Sequence, residues 1–153
     1  MNIRSAFHHD VLPIAALERA VFAGEAYPAS FLYQAMDLWP DLVCLAEEDR
    51  RILGYALGAP ALDAGVGWIL SAAVDPEARG RGVGASLVEW LIARLHVAGL
   101  RRIVLTVHPE NQAAVRLYRR LGFVAEEALP EYFGSGEPRL RMRLSRAATF
   151  QHE

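Results

Sequence analysis

The sequence has little of several features that would narrow its function at once. Cys44 is the single cysteine among 153 residues. No disulfide can therefore form within the chain, which suits a reducing cytoplasm. No run of about 18 apolar residues is present, and the N-terminus has no signal-peptide pattern, so we expect a cytoplasmic protein. Because Cys44 lies in an apolar run, we expect it to be a core residue.

Charge is also nearly balanced, with a formal net charge of -2. This gives no electrostatic basis for binding nucleic acid or an anionic membrane surface. The five histidines show no metal-ligand spacing, so no metal is expected. What remains is a chain of ordinary composition, long enough for one domain with a sizeable core.

Hydrophobic periodicity predicts a mixed α/β domain around one sheet. The predicted order is one strand, two helices, three strands, a helix, a strand, a helix and two strands. The first helix follows Asp10, and we place its apolar face at Leu12, Ala15, Ala16, Arg19 and Ala20. The predicted strands are 3–7, 42–47, 52–58, 67–74, 102–107, 123–125 and 140–144. We expect one domain over 1–145 and a C-terminal tail over 146–153.

A glycine-rich turn connects the strand ending at Val74 to the long helix that ends before Gly99. Glycines allow left-handed backbone angles and close approach to a ligand. Successive N–H groups at a helix N-terminus form an anion site, and Arg79 and Arg81 add positive charge. A pyrophosphate group is the natural ligand for such a turn.

Three interpretations of this turn remain open on its own residues. A Walker A loop is disfavoured, because the turn lacks lysine. A dinucleotide fingerprint is met superficially by Gly80-x-Gly82-x-x-Ala85. That fold, however, expects the first glycine directly after the strand and an acidic residue after the next one. The third interpretation is a tight turn that uses glycine for geometry alone.

A further interpretation of the turn rests on resemblance to a known family. Arg79-x-x-Gly82-x-Gly84 resembles the R/Q-x-x-G-x-G/A motif of the GNAT superfamily of acetyltransferases. Segment 111–123 resembles that family's second signature, N-x-x-A-x-x-L-Y-x-x-x-G-F. The resemblance covers 66–145 well and the first 60 residues in layout. The loop 132–137 and Met142 also resemble the branch that contains ribosomal-protein alanine N-acetyltransferases.

The resemblance implies the GNAT fold, a mostly antiparallel sheet of 6–7 strands flanked by about four helices. A central pair of parallel strands, ending near Val74 and Val107, would splay apart to admit the pantetheine arm of acetyl-CoA. Main-chain groups of Ala72, Ala73 and Val74 would pair with that arm. The implied pyrophosphate-binding residues are Arg79, Gly80, Arg81, Gly82, Val83, Gly84 and Ala85, with Asn111 and Tyr118 completing the cofactor site.

The family resemblance also implies direct transfer of the acetyl group to an amine. Tyr118 is the expected general acid to the CoA thiolate, since a phenol is protonated at neutral pH. The alanine N-acetyltransferase branch carries a glutamate base in the strand before Asn111, where this sequence has Thr106. His108 and Glu25 are the alternative candidates for the base, and a water chain without a dedicated base also remains open.

The implied acceptor site combines the two loops at 25–31 and 132–136. Tyr27, Phe31, Tyr132 and Phe133 would make it partly aromatic, which fits a peptide N-terminus or a small aromatic or aliphatic amine. Many members of the family form dimers, and the late strands offer a surface for such pairing. The alternatives are a non-catalytic acyl-CoA-binding or sensing domain of this fold, a dinucleotide-binding oxidoreductase, and a purely structural domain.

Overall fold

A computed structural model describes residues 1–144. The predicted tail, 146–153, lies outside the described residues. The strands are β1 (Asn2–Ser5), β2 (Val43–Glu48), β3 (Arg51–Pro60), β4 (Val66–Val74), β5 (Arg102–Val107), β6 (Val124–Leu129) and β7 (Arg139–Leu144). The α-helices are α1 (Val11–Phe22), α2 (Ala29–Leu38), α3 (Val83–Val97) and α4 (Gln112–Arg120).

These strands form one sheet in the order β1-β2-β3-β4-β5-β7-β6. Every described pairing is antiparallel except that of β4 with β5, which is parallel. A parallel pair needs a long crossover connection, and α3 supplies it. The predicted fold class and element order are confirmed.

The connection between β2 and β3 is a tight hairpin turn. Asp49 and Arg50 both have positive φ, at 51° and 66°. Two successive residues with positive φ match the twist of the flanking strands, which is why such turns close hairpins. The hairpin fixes the register of β3 with β2, and β3 in turn pairs with β4.

The predicted apolar face of α1 is wrong. The buried positions are Val11, Ile14, Ala15, Leu17 and Glu18, whereas Leu12 is 62% exposed. The buried set follows the helical spacing of three and four residues that starts from Val11. The helix is therefore rotated about its axis from the predicted orientation, so the Glu18 side chain faces the sheet.

The sheet is covered on both faces. Helices α1 and α2 pack on one face around Tyr55 and Leu57, while α3 packs on the other with Leu87, Leu91 and Leu95. Cys44 is fully buried between them, as predicted, and burial raises the pKa of its thiol to about 12. None of the helices in the described range is both long and apolar enough to cross a membrane.

The close approach of α3 to β3 depends on small residues. A Cβ at Gly54 would lie 2.8 Å from the Ala73 carbonyl oxygen and 2.9 Å from Leu87. A Cβ at Gly58 would lie 3.1 Å from Leu91. Glycine at both positions therefore lets the helix sit directly on the strand, which fixes where the helix begins relative to β4.

Candidate active site

The parallel strands lie side by side only at one end. Pairs run from Val66 with Arg102 to Trp68 with Val104, and the described register has none beyond them. Leu70 is an extra residue on β4 relative to β3, because Ile69 pairs with Gly58 and Ser71 with Leu57. Such a bulge bends a strand and increases its twist. The predicted separation of the parallel strands is confirmed, and the bulge gives its local cause.

The gap between the strands opens into a cavity of about 600 Å³. Its walls come from α1, from β4 (68–72), from the end of β5 and the residue after it (105–108), from α4, from the start of β7 and from two loops. Eight residues predicted for the catalytic, cofactor and acceptor sites line the cavity: Ala72, Asn111, Tyr118, His108, Glu25, Tyr27, Tyr132 and Phe133. Residues far apart in the sequence thus meet in one cavity.

One predicted acceptor residue does not reach the cavity wall. Phe31 packs on the Tyr27 ring, with the two ring centroids 4.7 Å apart. Tyr27 itself lines the cavity, and its hydroxyl lies 3.5 Å from the Leu70 carbonyl oxygen. Burial, followed by the charge of Glu18, raises the pKa of Tyr27. Phe31 supports the aromatic wall from behind, and its predicted contact with substrate stays a prediction.

The glycine turn ends in an exposed helix N-terminus. Gly80 and Gly82 have φ of 80° and 79°, and a Cβ at either position would meet nothing within 4 Å. The Ser86 N–H donates to the Gly82 carbonyl oxygen at 3.1 Å, so the N–H groups of 83–85 precede the first helical bond. Such leading N–H groups form an anion site.

The two arginines of the turn differ in their surroundings. Arg81 donates from Nη2 to Glu48 Oε2 at 2.7 Å, which directs that guanidinium toward the β2–β3 hairpin. Arg79 is exposed. The turn before it is held by Asp75, whose Oδ1 accepts from the Glu77 N–H at 2.9 Å and whose Oδ2 accepts from Arg51 at the same distance. Arg79 therefore places an exposed positive charge three residues before the glycine that begins α3.

The second predicted signature brings Asn111 and Tyr118 to the cavity from α4. Asn111 caps the helix, because its Oδ1 accepts from the Ala114 N–H at 3.2 Å. Tyr118 is 8% exposed and packs edge-on against Phe123, with centroids 5.6 Å apart. Burial raises the pKa of Tyr118 to about 12. Its phenol is therefore protonated throughout the neutral and mildly alkaline range.

His108 lines the cavity just past the end of β5. Its Nδ1 accepts from the Glu110 N–H at 3.1 Å. In a neutral imidazole one nitrogen accepts and the other carries the proton, so this bond leaves Nε2 as a donor. The nitrogen that would take a proton is thus engaged with the main chain. The role of His108 as base stays a prediction.

Glu25 reaches the cavity from the loop between α1 and α2. Its Oε2 accepts from Arg139 Nη2 at 2.5 Å. Arg139 is 7% exposed, donates from Nη1 to the Pro138 carbonyl oxygen at 2.6 Å, and lies 4.8 Å above the Phe133 ring. The ion pair joins the first predicted acceptor loop to the start of β7, and the contact of Arg139 with Phe133 connects it to the second loop. It also occupies one oxygen of the predicted base.

The buried carboxylate on α1 is the largest addition to the predicted site. Glu18 is 1% exposed and contributes to the cavity wall. Its Oε1 accepts from the hydroxyls of Tyr55 and Ser71, both at 2.5 Å, and its Oε2 accepts from the Tyr27 N–H at 2.7 Å. The helical spacing that starts from Val11 was the signal that could have placed Glu18 on this face.

The acceptor end of the cavity carries an excess of negative charge. Among the residues that line it, Glu18, Glu25 and Glu137 are carboxylates, and Arg139 is the guanidinium. Opposite charge concentrates in a concave site with low-dielectric walls. The arrangement suits an acceptor that arrives as an ammonium ion.

Comparison with known proteins agrees with this geometry. The acetyltransferase (GNAT) family matches residues 11–123. An uncharacterized N-acetyltransferase of Methanocaldococcus jannaschii is 35% identical over 143 residues, which is 93% of this chain and 90% of that protein. A mycothiol acetyltransferase of Cellulomonas flavigena is 38% identical over 101 residues, but the chain spans only 28% of its length.

Solved structures share the fold. YncA from Salmonella typhimurium, described with its cofactor acetyl-CoA, superposes with a TM-score of 0.79 at 26% identity, covering 95% of this chain and 93% of that one. The ribosomal-protein-S18-alanine N-acetyltransferase from Escherichia coli gives a TM-score of 0.81 at 23% identity, covering 99% of both chains. The family match and the nearly end-to-end alignment with an N-acetyltransferase show that the chain belongs to the GNAT family of acetyltransferases.

Proposed function

We propose that this protein transfers the acetyl group of acetyl-CoA directly to a primary amine, either a peptide N-terminus or a small molecule. The observation that carries the proposal is the open gap between β4 and β5. One side of it is an exposed helix N-terminus, and the other is a cavity with Tyr118 and an excess of carboxylates. A bound acetyl-CoA would supply an activated acyl thioester between them.

The residues present fit two parts of acetyl-CoA, its diphosphate and its pantetheine arm. Gly80 and Gly82 leave the space beside the turn open, and the N–H groups of 83–85 precede the first helical bond of α3. A diphosphate matches such donors and the dipole of α3. Beyond Trp68 the main chain of β4 has no partner on β5. An amide-containing arm can pair with unpartnered strand groups as an added strand would.

Tyr118 is the proton donor to the leaving thiolate in this proposal. Tyr118 lines the cavity, and its hydroxyl stays protonated because burial raises the pKa of the phenol to about 12. Asn111 fixes the start of the same helix through its cap, so the position of Tyr118 follows from the way α4 begins. A phenol at this position can give its proton as negative charge develops on sulfur.

The acceptor side supports an amine more than an alcohol or a thiol. An ammonium group can donate to the carboxylates of the cavity wall, whereas a neutral nucleophile gains less from them. The aromatic rings of Tyr27, Tyr132 and Phe133 can cover the apolar part of an acceptor next to its charged nitrogen. The shared wall of two loops can admit a peptide end as well as a small amine.

Thiol release from acetyl-CoA tests the proposal. The purified protein is incubated with acetyl-CoA and a panel of tetrapeptide amides that differ in their first residue, together with alkyl and aromatic amines. Free CoA is measured colorimetrically, and the acetylated product is identified by mass spectrometry. We expect turnover with at least one primary amine. Tight CoA binding without turnover on any acceptor would instead favour a non-catalytic acyl-CoA-binding domain.

A further inference from the structure

The acceptor amine must lose a proton before it can attack, and the two predicted bases are both engaged elsewhere. Glu25 is paired with Arg139, and the Nδ1 of His108 accepts a main-chain hydrogen bond. Glu18 is a third carboxylate of the cavity wall. Within residues 1–144 its hydrogen-bond partners are two hydroxyls and one N–H, and none of them is a cation.

We propose that Glu18 is the proton acceptor of the reaction and that the acceptor amine reaches it through the hydroxyl of Ser71. This inference rests on the proposed amine acetylation and names the path by which the amine is deprotonated. The amine touches Ser71 in this arrangement, and Glu18 receives the proton from Ser71 rather than from the substrate.

The direction of the Ser71 hydroxyl supports the relay. Serine has one O–H hydrogen, and Ser71 donates it to Glu18 Oε1 at 2.5 Å. The serine oxygen can therefore only accept a hydrogen bond from the cavity, and an ammonium N–H is a donor. Ser71 is 7% exposed and lines the cavity on the bulged part of β4, where the gap between the strands begins.

The proton balance of the step is complete. The ammonium gives one proton to Ser71 Oγ as Ser71 gives its own proton to Glu18 Oε1. Serine is unchanged, the amine becomes neutral, and Glu18 becomes an uncharged carboxylic acid. Glu18 returns the proton to solvent after the product has left. No further reactant is needed.

Tyr55 provides an internal comparison for this relay. It donates to the same oxygen of Glu18 at the same distance as Ser71, 2.5 Å. Tyr55 is fully buried and is absent from the cavity wall. Burial, followed by the charge of Glu18, raises the pKa of Tyr55 well above its ordinary value, so it remains a donor. Loss of either hydroxyl weakens the carboxylate's surroundings, and the Tyr55 hydroxyl also forms a hydrogen bond with the Ser71 side chain. Only loss of Ser71, however, removes a hydroxyl that lines the cavity.

The other titratable groups near Glu18 do not change between the variants to be compared. Tyr27 donates its N–H from the α1–α2 loop, and the ion pair of Glu25 with Arg139 and the imidazole of His108 lie along the same cavity wall. Ser71→Ala and Tyr55→Phe both keep Glu18, whose charge raises the pKa of Tyr27, so this coupling is present in the wild type and in both of these variants. The ratio of a variant's rate to the wild-type rate therefore isolates the relay.

The experiment compares Ser71→Ala with Tyr55→Phe from pH 6 to 9.5, using the tetrapeptide amide Ala-Ser-Gly-Gly and, in parallel, benzylamine. Without the relay, the rate must follow the fraction of acceptor that is already neutral in solution. For the peptide, the ratio of Ser71→Ala to wild type should rise roughly tenfold per pH unit and level off near the α-amino pKa of about 7.7–8.0. The ratio for Tyr55→Phe should not change with pH. Glu18→Gln, if it folds, should behave like Ser71→Ala.

Peptide binding measured by calorimetry without acetyl-CoA supplies a readout that does not depend on turnover. We expect Ser71→Ala to bind the peptide more weakly than Tyr55→Phe, because it loses one hydrogen bond to the ammonium group. Equal, pH-independent rate deficits in the two variants, or equal peptide affinity in them, would overturn the relay while leaving the acetyltransferase proposal intact. A wild-type protein that acetylates neither probe nor any panel amine would overturn both.

Discussion

Alanine at Gly82 should separate cofactor binding from folding. Gly82 has φ of 79° at the start of α3, and a Cβ there would meet nothing within 4 Å. Its substitution therefore causes strain without a clash, at about 1–2 kcal/mol for a left-handed L-residue. For a chain of this size that lowers the melting temperature by about 2–8 °C. The variant should fold.

Coenzyme A affinity should fall much further than stability. The added methyl group points into the open space beside the leading N–H groups of α3, where we expect the diphosphate. Loss of one hydrogen bond to a charged group costs about 1.5–3 kcal/mol. The dissociation constant measured by calorimetry should therefore rise roughly 10- to 150-fold.

Gly99→Ala is the matched control for this prediction. Gly99 follows the other end of α3, has φ of 84°, and also has nothing within 4 Å of an added Cβ. It should show the same loss of melting temperature with unchanged CoA affinity. If Gly82→Ala and Gly99→Ala bind CoA equally well, the glycine turn is not the diphosphate site.

Three further perturbations probe other parts of the molecule. Tyr118→Phe should lower turnover and leave CoA affinity unchanged; an unaltered rate would remove Tyr118 from the acid role. Arg139→Met should raise the KM for the acceptor several-fold with CoA affinity intact, because it unlinks the two acceptor loops, and steady-state kinetics checks this. Burial raises the pKa of Asp10, but hydrogen bonds from Arg4 and the Phe7 N–H outweigh it and hold that pKa below its usual value. The stability that this pair adds is present above the ordinary Asp pKa of about 3.9 and is lost as pH falls through the lowered pKa of Asp10. Arg4→Met should therefore begin to unfold in acid at a higher pH than the wild type, and tryptophan fluorescence measures this.

The sequence predicted the sheet, the helix order and part of the cavity wall, because these follow from hydrophobic period and from two motifs with fixed spacing. Asn111 caps α4 and Tyr118 reaches the cavity as the second motif indicates. These positions depend on local geometry within one helix, which a sequence specifies well.

The partners of the charged residues could not be predicted in the same way. Arg139 and Glu25 are 114 positions apart, and their contact exists only after two loops converge. Glu18 was missed for a different reason, since a small error in the rotation of α1 moves a side chain from the core to the surface. A buried carboxylate is unusual enough that periodicity alone did not favour placing it inside.

The short pairing between β4 and β5 has a consequence for the lifetime of the protein in the cell. Three residue pairs join the four-stranded part of the sheet to the three-stranded part. A ligand that forms hydrogen bonds with the unpaired parts of both β4 and β5 links the two parts of the sheet. It thereby lowers the fraction of molecules that is unfolded. At a concentration 100 times its dissociation constant it adds about 2.7 kcal/mol, roughly a hundredfold fewer unfolded molecules. Because proteases remove unfolded chains, the amount of this enzyme should rise and fall with the supply of its acetyl donor.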